Sequence, residues 1–576
     1  MRTELRSCFC GDLNIGYLGK EVNLCGWLKR KRDIGKILFF VLEDREGEVQ
    51  VVIENEELKN KVKSLSLYST LKVNGLVRER PEKDKNPEMK TGEIEVLAKE
   101  IEVFSKSKTL PFLPDEEKEV FEETKLFYRF LDLRSEKKKE VFKLRSNVKY
   151  IITKTLIEMG FIEVETPYLS KSTPEGARDF LVPSRIHKGK FYALTQSPQM
   201  YKQILMVSQF DRYFQFARCF RDEDFRKDRQ PEFTQLDIEM AFVTEEDIFN
   251  CVERIFYQVF KEIFKIELKI PFDRMTYENV LNLYGTDKPD LRFDYKFEDY
   301  KDILGQVEVF KNYKNIKSIF FPFKFSRKFI DNLAQEIKRE GQSVFMWGIL
   351  EGSEIRGTLK KLLSIESFKR EGTRFVIGGE DEIIKSLCEK LREKVIEEIK
   401  KNEDEKKEFK FLWITDFPLF EKDEHGCFVS AHHPFTMPKD DFWYMEPMKA
   451  RARSYDLVLN GFEIGSGSIR ISDPELQREI FRFLGYTEEE VEDRFGFLLR
   501  SLSYGAPPHG GIALGFDRII MILSFEKSIR DVIAFPKTAQ GVGLLENCPS
   551  RVYREQLEEL GIELKEGILD DSKKVD

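Results

Sequence analysis

Between Phe216 and Phe242 the chain reads FARCFRDEDFRKDRQPEFTQLDIEMAF, and its middle, Arg221 to Arg229, holds eight charged residues and one Phe. On either side apolar and polar residues alternate, the period of a strand with one buried face. In the second arm Leu236, Ile238, Met240 and Phe242 alternate with Gln235, Asp237 and Glu239. In the first arm Phe214, Phe216 and Phe220 share a face opposite Gln215 and Arg221. Two such strands make a hairpin with an apolar back and a polar front. Polar groups are costly to bury unless something pairs with them. A salt-bridged surface sheet would satisfy them, and so would a ligand. A front that holds an Arg and two carboxylates suits a ligand that is zwitterionic or carries phosphate. Arg221 is the leading candidate, because a guanidinium holds two anionic groups at once. Its structural alternative is an ion pair with Glu239 or Asp237.

Other stretches also hold useful chemistry. In SPQMYKQ, Ser197 is a good N-cap and Pro198 suits a first helical position, which puts Gln199 and Lys202 on one helix face. His432 and His433 stand together in AHHPFT, two of only five histidines, though read on their own they suit a structural role. KRKRDIGK, Lys29 to Lys36, is the most basic patch near the N-terminus, and Phe39 and Phe40 follow it. A basic loop beside exposed aromatics grips single-stranded nucleic acid by phosphate attraction and base stacking. The other reading is a solvated hairpin with both Phe side chains in a core. The eight cysteines include no CxxC, so neither a zinc site nor a disulfide framework is expected.

Positioning these groups takes several domains, and 576 residues suffice for them. Hydrophobic content of 41% with 34% charged residues describes a soluble globular protein with a heavily charged surface. No apolar run approaches the span of a bilayer, and MRTELRSCFCGDL lacks the apolar core of a signal peptide, so a cytoplasmic location is expected. A net charge of −8 argues against a protein that is basic throughout, yet allows a local basic patch. Residues 1–104 hold five strand candidates, Val22–Leu28, Ile37–Leu42, Val49–Ile53, Thr70–Val77 and Ile94–Val103, which suit a small OB-type barrel. Residues 105–130, with prolines and dense charge, read as a hinge. Glu136 to Met159 is a long amphipathic helix stopped by Gly160, and FIEVETP follows as a strand closed by Pro167. Helix and strand patterns fill residues 131–300. Residues 301–408 differ in texture, with helices at Ser326–Glu340 and Ile383–Lys401 and no cluster of chemical residues, and read as an inserted domain. Core-like strands resume over 409–549, and 550–576 is a charged C-terminal extension.

FRDED followed by QPEFTQLDIE resembles motif 2 of the class II aminoacyl-tRNA synthetases. Glu136 through Pro167 resembles their motif 1, the dimer-forming helix and strand, and GGIALGFDRIIMIL, Gly510 to Leu523, resembles motif 3. GFDR alone would say little; three motifs in order say much more. Over essentially its whole length the chain is similar to the bacterial aspartyl-tRNA synthetases. GWLKRKRDIGKILFFVLEDREGEVQV, STPEGARDF, TQSPQMYKQ, AHHPFT, NGFEIGSGSIRI, YGAPPHGGIALGFDR and IRDVIAFPK all look like that family's signatures. The implied fold is α+β. It has an antiparallel-sheet class II catalytic core in two parts, 131–300 and 409–549, an N-terminal OB-fold anticodon-binding domain over 1–104, and a GAD domain inserted at 301–408.

The resemblance also implies a reaction. L-aspartate and ATP form aspartyl-adenylate and pyrophosphate, and the aspartyl group then passes to the 3′ end of tRNA-Asp, with tRNA-Asn left open as a second acceptor. By the same resemblance Arg221 bridges the substrate carboxylate and the α-phosphate, and Arg518 holds the γ-phosphate. Phe233 stacks on adenine, with core packing as its alternative. Asp222, Glu223 and Gln230 lie near base and phosphates, and Gly515, Phe516 and Asp517 complete the ATP site. Residues Phe225 to Arg229 form a loop that meets the acceptor end of tRNA. Asp456 and Glu463 hold Mg²⁺, for which oxygen ligands are suited. Their spacing puts them on opposite faces of one flat strand, and Asn460–Gly461 between them signals a bend, so period alone does not place them. Lys202 and Arg470 grip the side-chain carboxylate, a donor pair that favours Asp over Asn. Glu175 and Asp237 accept from the α-amino group, and Gln199, His432 and His433 complete the pocket. Phe39, Gln50 and Arg32 meet the anticodon. A homodimer follows from motif 1.

The alternatives each predict something different. An asparaginyl enzyme would lack the inserted domain, and a lysyl enzyme would carry carboxylates where Lys202 and Arg470 stand. A non-catalytic tRNA-binding paralogue would have lost Arg221, Glu463 or Arg518, and a small-molecule asparagine synthetase of this fold would lack the OB domain.

Overall fold

The computed structural model describes residues 3–115, 120–172, 177–223, 228–381, 383–402 and 407–565. They divide into two compact units, Met1–Glu140 and Val141–Asp576.

The first unit contains a closed five-stranded barrel. Its strands are β1 (Glu21–Ile34), β2 (Ile37–Asp44), β3 (Gly47–Ile53), β4 (Thr70–Glu79) and β5 (Ile94–Ser105), in the order β1-β2-β3-β5-β4. All five strand expectations stand. Alternation drives closure: Val22, Leu24 and Leu28, Leu38, Phe40 and Leu42, and Leu71, Val73 and Val77 point into one core. The basic patch is not a loop. β1 runs on to Ile34 and pairs with β2, Arg32 opposite Phe39, so only Gly35 and Lys36 turn the chain. The two aromatics divide as the period requires. Phe40 is buried in the barrel, and Phe39 is half-buried on the other face.

The second unit is built on an eight-stranded sheet. Its strands are β6 (Ile162–Glu163), β7 (Arg212–Phe220), β8 (Glu232–Ala241), β9 (Asp273–Thr276), β10 (Phe411–Thr415), β11 (Ser454–Leu459), β12 (Phe462–Ile469) and β13 (His509–Gly515). They lie in the order β9-β10-β11-β12-β13-β8-β7-β6, antiparallel except for the two edge pairs. The amphipathic helix is α1 (Glu136–Glu158), and Gly160 at φ +82° ends it. FIEVETP gives only the two-residue β6. Beyond it the Thr166 N–H donates to the side chain of Gln215 on β7 at 3.2 Å rather than to a backbone carbonyl.

β7 and β8 pair as their alternation requires, with Gln215 opposite Asp237 and Phe214 opposite Ile238. On the apolar back Leu236, Ile238 and Met240 pack with Ile512 and Leu514 of β13 and with Ile248, Val252 and Ile255, which belong to the helix Glu245–Val259. Each such side chain contributes about 1.5–3 kcal/mol by leaving water. Gln235, Asp237 and Glu239, buried on the front, are what this back holds in place. Phe242 falls outside the pattern. It follows the strand at φ +58° and is exposed.

The inserted segment has its own five-stranded sheet, from Phe297–Asp299 to Gly372–Gly379, and its own core. Its two long helices are Arg327–Arg339, capped by Ser326, and Ile384–Asn402. Among the described residues no helix is long and apolar enough to cross a membrane.

Candidate active site

The polar front of β8 forms one wall of a cavity of about 840 Å³, which β12, β13 and the segment after β7 complete. At its floor Asp237 and Glu239 are fully buried. Lys202 lies behind them on α2 (Gln199–Val207). Its Nζ is 3.0 Å from Asp237 Oδ1 and 3.5 Å from Glu239 Oε2. Arg470, just past β12, donates to the two Glu239 oxygens from Nε and Nη2 at 2.9 and 3.1 Å. Its Nη1 donates to Ser468 Oγ at 2.8 Å and lies 2.6 Å from His433 Nε2. The Phe435 N–H donates to the other ring nitrogen, His433 Nδ1, at 3.3 Å, so donors face the imidazole on both sides. Gly511 makes room for this cluster, since a Cβ there would lie 2.1 Å from Glu239 Oε2.

Burial pushes the acidity of the two carboxyls in one direction and the cations push in the other. For Asp237 burial dominates and raises the pKa, against the pull of Lys202. At Glu239 burial also acts upward but is outweighed by Arg470 and Lys202, so its carboxylate is held below the ordinary value. Two cations and two carboxylates thus offset one another before any ligand arrives. Two buried atoms are left over: Asp237 Oδ2 and Gln199 Nε2 have no hydrogen-bond partner among the described residues, and both residues line the cavity. One is an acceptor and the other a donor. An α-amino acid supplies the complement to each, through its ammonium and its carboxylate.

Beyond this pocket the cavity changes character. Arg221 follows β7 with its guanidinium over the Phe233 ring, 5.2 Å from the centroid. It has no carboxylate partner among the described residues. The ion pair with Glu239 or Asp237 is not made, because Lys202 and Arg470 occupy those groups. Arg518 stands in the first turn of the helix Phe516–Leu523, 3.2 Å from Asp228, and donates to the Glu463 carbonyl. Glu223 pairs with Arg229 at 2.9 Å. The Gln230 amide grips the Lys537 backbone both ways, accepting its N–H at 2.8 Å and donating to its carbonyl at 3.1 Å. It thereby fixes a loop at the cavity edge.

The spacing of Asp456 and Glu463 is resolved by the turn between them. Asn460 and Gly461 both take positive φ, 52° and 88°, and close a two-residue hairpin of β11 and β12. A bulge at Leu457/Val458 shifts the register, with Asp456 opposite Ser466 and Glu463 opposite Val458. Burial, and then the nearby Glu463, push the Asp456 carboxyl well above its usual range, and its Oδ1 has no hydrogen-bond partner among the described residues. A hard divalent cation fits these donors. His432 Nδ1 lies 3.1 Å from Ser466 Oγ and 3.9 Å from Asp456, and burial pushes its pKa down to about 4, so the ring is neutral.

Some expected contacts are placed elsewhere. Phe516 turns into the core, edge-on to Phe216 at 5.0 Å and under Arg145 at 4.7 Å, so its side chain supports the helix start and does not reach the cavity. Asp222 is exposed and does not line the cavity; its N–H donates to the Arg178 carbonyl at 3.0 Å. Asp517 lies at the wall beside Gly515, but its carboxylate accepts from the Thr234 N–H at 2.7 Å and pairs with Arg145 at 2.6 Å. Glu175 lies outside the described residues, as does the loop over Phe225–Lys227. In the barrel unit Arg32 is exposed across from Phe39, and Gln50 donates to Glu95 at 2.9 Å, which leaves its carbonyl oxygen available.

Residues 121–539 match the model of the tRNA synthetases class II (D, K and N), and residues 22–104 match the OB-fold nucleic acid binding domain. The chain belongs to the class II tRNA synthetases. The synthetase is 46% identical to the aspartate–tRNA(Asp/Asn) ligase of Thermotoga maritima, over 98% of this chain and 100% of that one. It is 45% identical to the ligase of the same name from Hydrogenobaculum, over 97% and 100%. Among solved structures it is similar in fold to the aspartyl-tRNA synthetase of Entamoeba histolytica, with a TM-score of 0.59, 20% identity and coverage of 93% and 92%. The asparaginyl-tRNA synthetase of Pyrococcus horikoshii gives 0.58 at 19% identity, over 95% and 99%.

Several groups at or behind the synthetase's cavity were not singled out in the sequence reading. Glu239 figured there on the polar front and as a possible partner of Arg221, yet it is the anchor of Arg470. Ser466 and Ser468 meet His432 and Arg470, and Asp228, read as part of a loop toward tRNA, pairs with Arg518. The alternation SGS in Ser466–Ser468 was the one available signal, since it puts two hydroxyls on one face of β12.

Proposed function

We propose that this synthetase is a cytoplasmic, homodimeric aspartate–tRNA ligase that forms aspartyl-adenylate from L-aspartate and ATP and then charges tRNA-Asp. One observation carries the choice of substrate: a buried donor and a buried acceptor, Gln199 Nε2 and Asp237 Oδ2, face a cavity that Arg470 lines and behind whose floor Lys202 lies. The α-ammonium donates to Asp237, and the side-chain carboxylate meets the hydrogens that Arg470 and Lys202 have left over. An asparagine amide would aim N–H groups at those donors.

Arg221 draws the aspartate α-carboxylate to the α-phosphate and offsets the charge that grows on both. A carboxylate oxygen bonds to the α-phosphorus, and pyrophosphate leaves with the electron pair of the α–β P–O bond, toward Arg518. Phe233 offers the adenine a ring face. Asp456 and Glu463 would hold Mg²⁺, which when bound neutralises charge on the triphosphate. The neutral His432 and His433 orient groups and take no proton at pH 7. The barrel face that carries Arg32, Phe39 and Gln50 receives the anticodon. The relatives' name supports tRNA-Asn as a second acceptor, which charging of purified tRNA-Asn would decide.

The pocket is tested by Arg470→Lys, which keeps the charge but loses the fork that holds Glu239. The KM for aspartate should rise at least about a hundredfold, with the KM for ATP nearly unchanged. An unaltered aspartate KM would remove Arg470 from the pocket.

A further inference from the structure

Lys288 comes from the connection into the inserted segment, and its side chain lines the cavity. Its Nζ lies 3.7 Å from Glu463 Oε2, and the side chain is 46% exposed. Arg518 donates to the main-chain carbonyl of the same Glu463. Two cations therefore meet at this residue, at the end of the cavity away from the amino-acid pocket. An ion pair this long and this exposed holds little energy. Glu463 does not account for the position of Lys288; the backbone does.

That backbone is clamped from two sides. Gly285 ends the helix Tyr277–Tyr284 at φ +73°, and a Cβ there would lie 2.5 Å from the Cys388 Cβ. Thr286 Oγ1 donates to Glu389 at 3.0 Å and accepts the Lys288 N–H at 3.3 Å. Lys400 donates to the Asp290 carboxylate at 3.2 Å, and Arg392 donates to the Asp290 carbonyl at 3.2 Å. All four of these partners belong to Ile384–Asn402, the last helix of the inserted segment. On the other side the Asp290 Cβ is 3.1 Å from where a Cβ on Gly461 would stand, in the turn of the hairpin that carries Glu463.

We propose that Lys288 is a phosphate-contacting residue of the adenylation step, which binds the β- and γ-phosphoryl oxygens of ATP and the pyrophosphate that leaves, and that the inserted segment holds it in place. A lysine ammonium is a compact charge on a flexible stem, suited to follow a polyphosphate as it departs. The role adds no covalent step and rests on the aspartate activation proposed above. It gives the inserted segment a part in binding ATP.

The test is aspartate-dependent ATP–pyrophosphate exchange by the full-length enzyme and its Lys288→Ala, Lys288→Arg and Glu389→Gln/Lys400→Ala variants. For Lys288→Ala the KM for ATP and for pyrophosphate should each rise about tenfold or more, as the loss of one charge-assisted contact implies. The KM for aspartate should stay within about twofold, and Lys288→Arg should recover most of the loss. The double variant should shift the ATP and pyrophosphate constants the same way. Unchanged constants in Lys288→Ala, or an equal rise in the aspartate KM, would overturn the contact. A double variant identical to the parent would overturn the role of the inserted segment. If the parent enzyme itself failed to exchange with aspartate, aspartate activation would fall instead.

Discussion

Three histidines surround the charged floor of the cavity, His509 buried and His432 and His433 half-buried, and all three are held in the neutral form at pH 7. Burial is the main cause at each: it pushes His432 down to about 4, lowers His433 well below its ordinary value of 6.5, and lowers His509. A histidine whose pKa is depressed by folding contributes stability that is present above pH 6.5. That part is lost as pH falls through the folded value, because the unfolded chain takes up protons first. The imidazole NMR signals of His433 and His509, assigned with His→Gln variants, should therefore titrate below the ordinary 6.5. Titration of either near 6.5 would mean that the cluster around Arg470 is open to water. At this scale the sequence was informative about charge and silent about partners. Alternation put Asp237 and Glu239 on one face, but nothing in it said that Glu239 would take Arg470 and leave Arg221 without a carboxylate among the described residues. Lys288 gave no signal, because its neighbour Glu463 lies far along the chain and beyond the inserted segment.

The hairpin of β11 and β12 brings Asp456 and Glu463 together, and its turn depends on Asn460 and Gly461, both at positive φ. An alanine at Gly461 would be strained at φ +88° and would press on the Asp290 Cβ at 3.1 Å. Gly461→Ala should cost about 1 kcal/mol or more in urea unfolding, the price of a side chain in that backbone region. It should also raise the Mg²⁺ concentration that half-saturates exchange. Equal stability and an equal Mg²⁺ requirement would remove the turn from the account. Elements with a strong period or a strong turn dipeptide were legible: the five barrel strands, the long helix and the Asn-Gly bend. KRKRDIGK was misread as a loop because a twisted ribbon carries strand pairing past the barrel rim, and composition does not encode how far pairing extends. FIEVETP shrank to two residues because Gln215 takes the backbone N–H of Thr166.

At the scale of the whole molecule, the proposed reaction draws on both units, the smaller for the anticodon and the larger for aspartate and ATP. The barrel unit presents Phe39 beside Arg32, and the larger unit encloses the cavity. Phe39→Ala should raise the KM for tRNA-Asp about tenfold, in keeping with the loss of one stacked base, and leave ATP–pyrophosphate exchange as it is. Charging kinetics unaffected by Phe39→Ala would place the anticodon elsewhere. The five barrel strands and a change of texture after residue 300 were readable in the sequence, whereas the contacts between the helix Ile384–Asn402 and the segment that carries Lys288 exist only in the folded chain. The central claim, that the cavity is built for aspartate, is tested most directly by amino-acid-dependent ATP–pyrophosphate exchange with aspartate, asparagine and lysine offered separately. Exchange should be supported by aspartate alone, and exchange with asparagine or lysine at a comparable rate, or with none of the three, would contradict it.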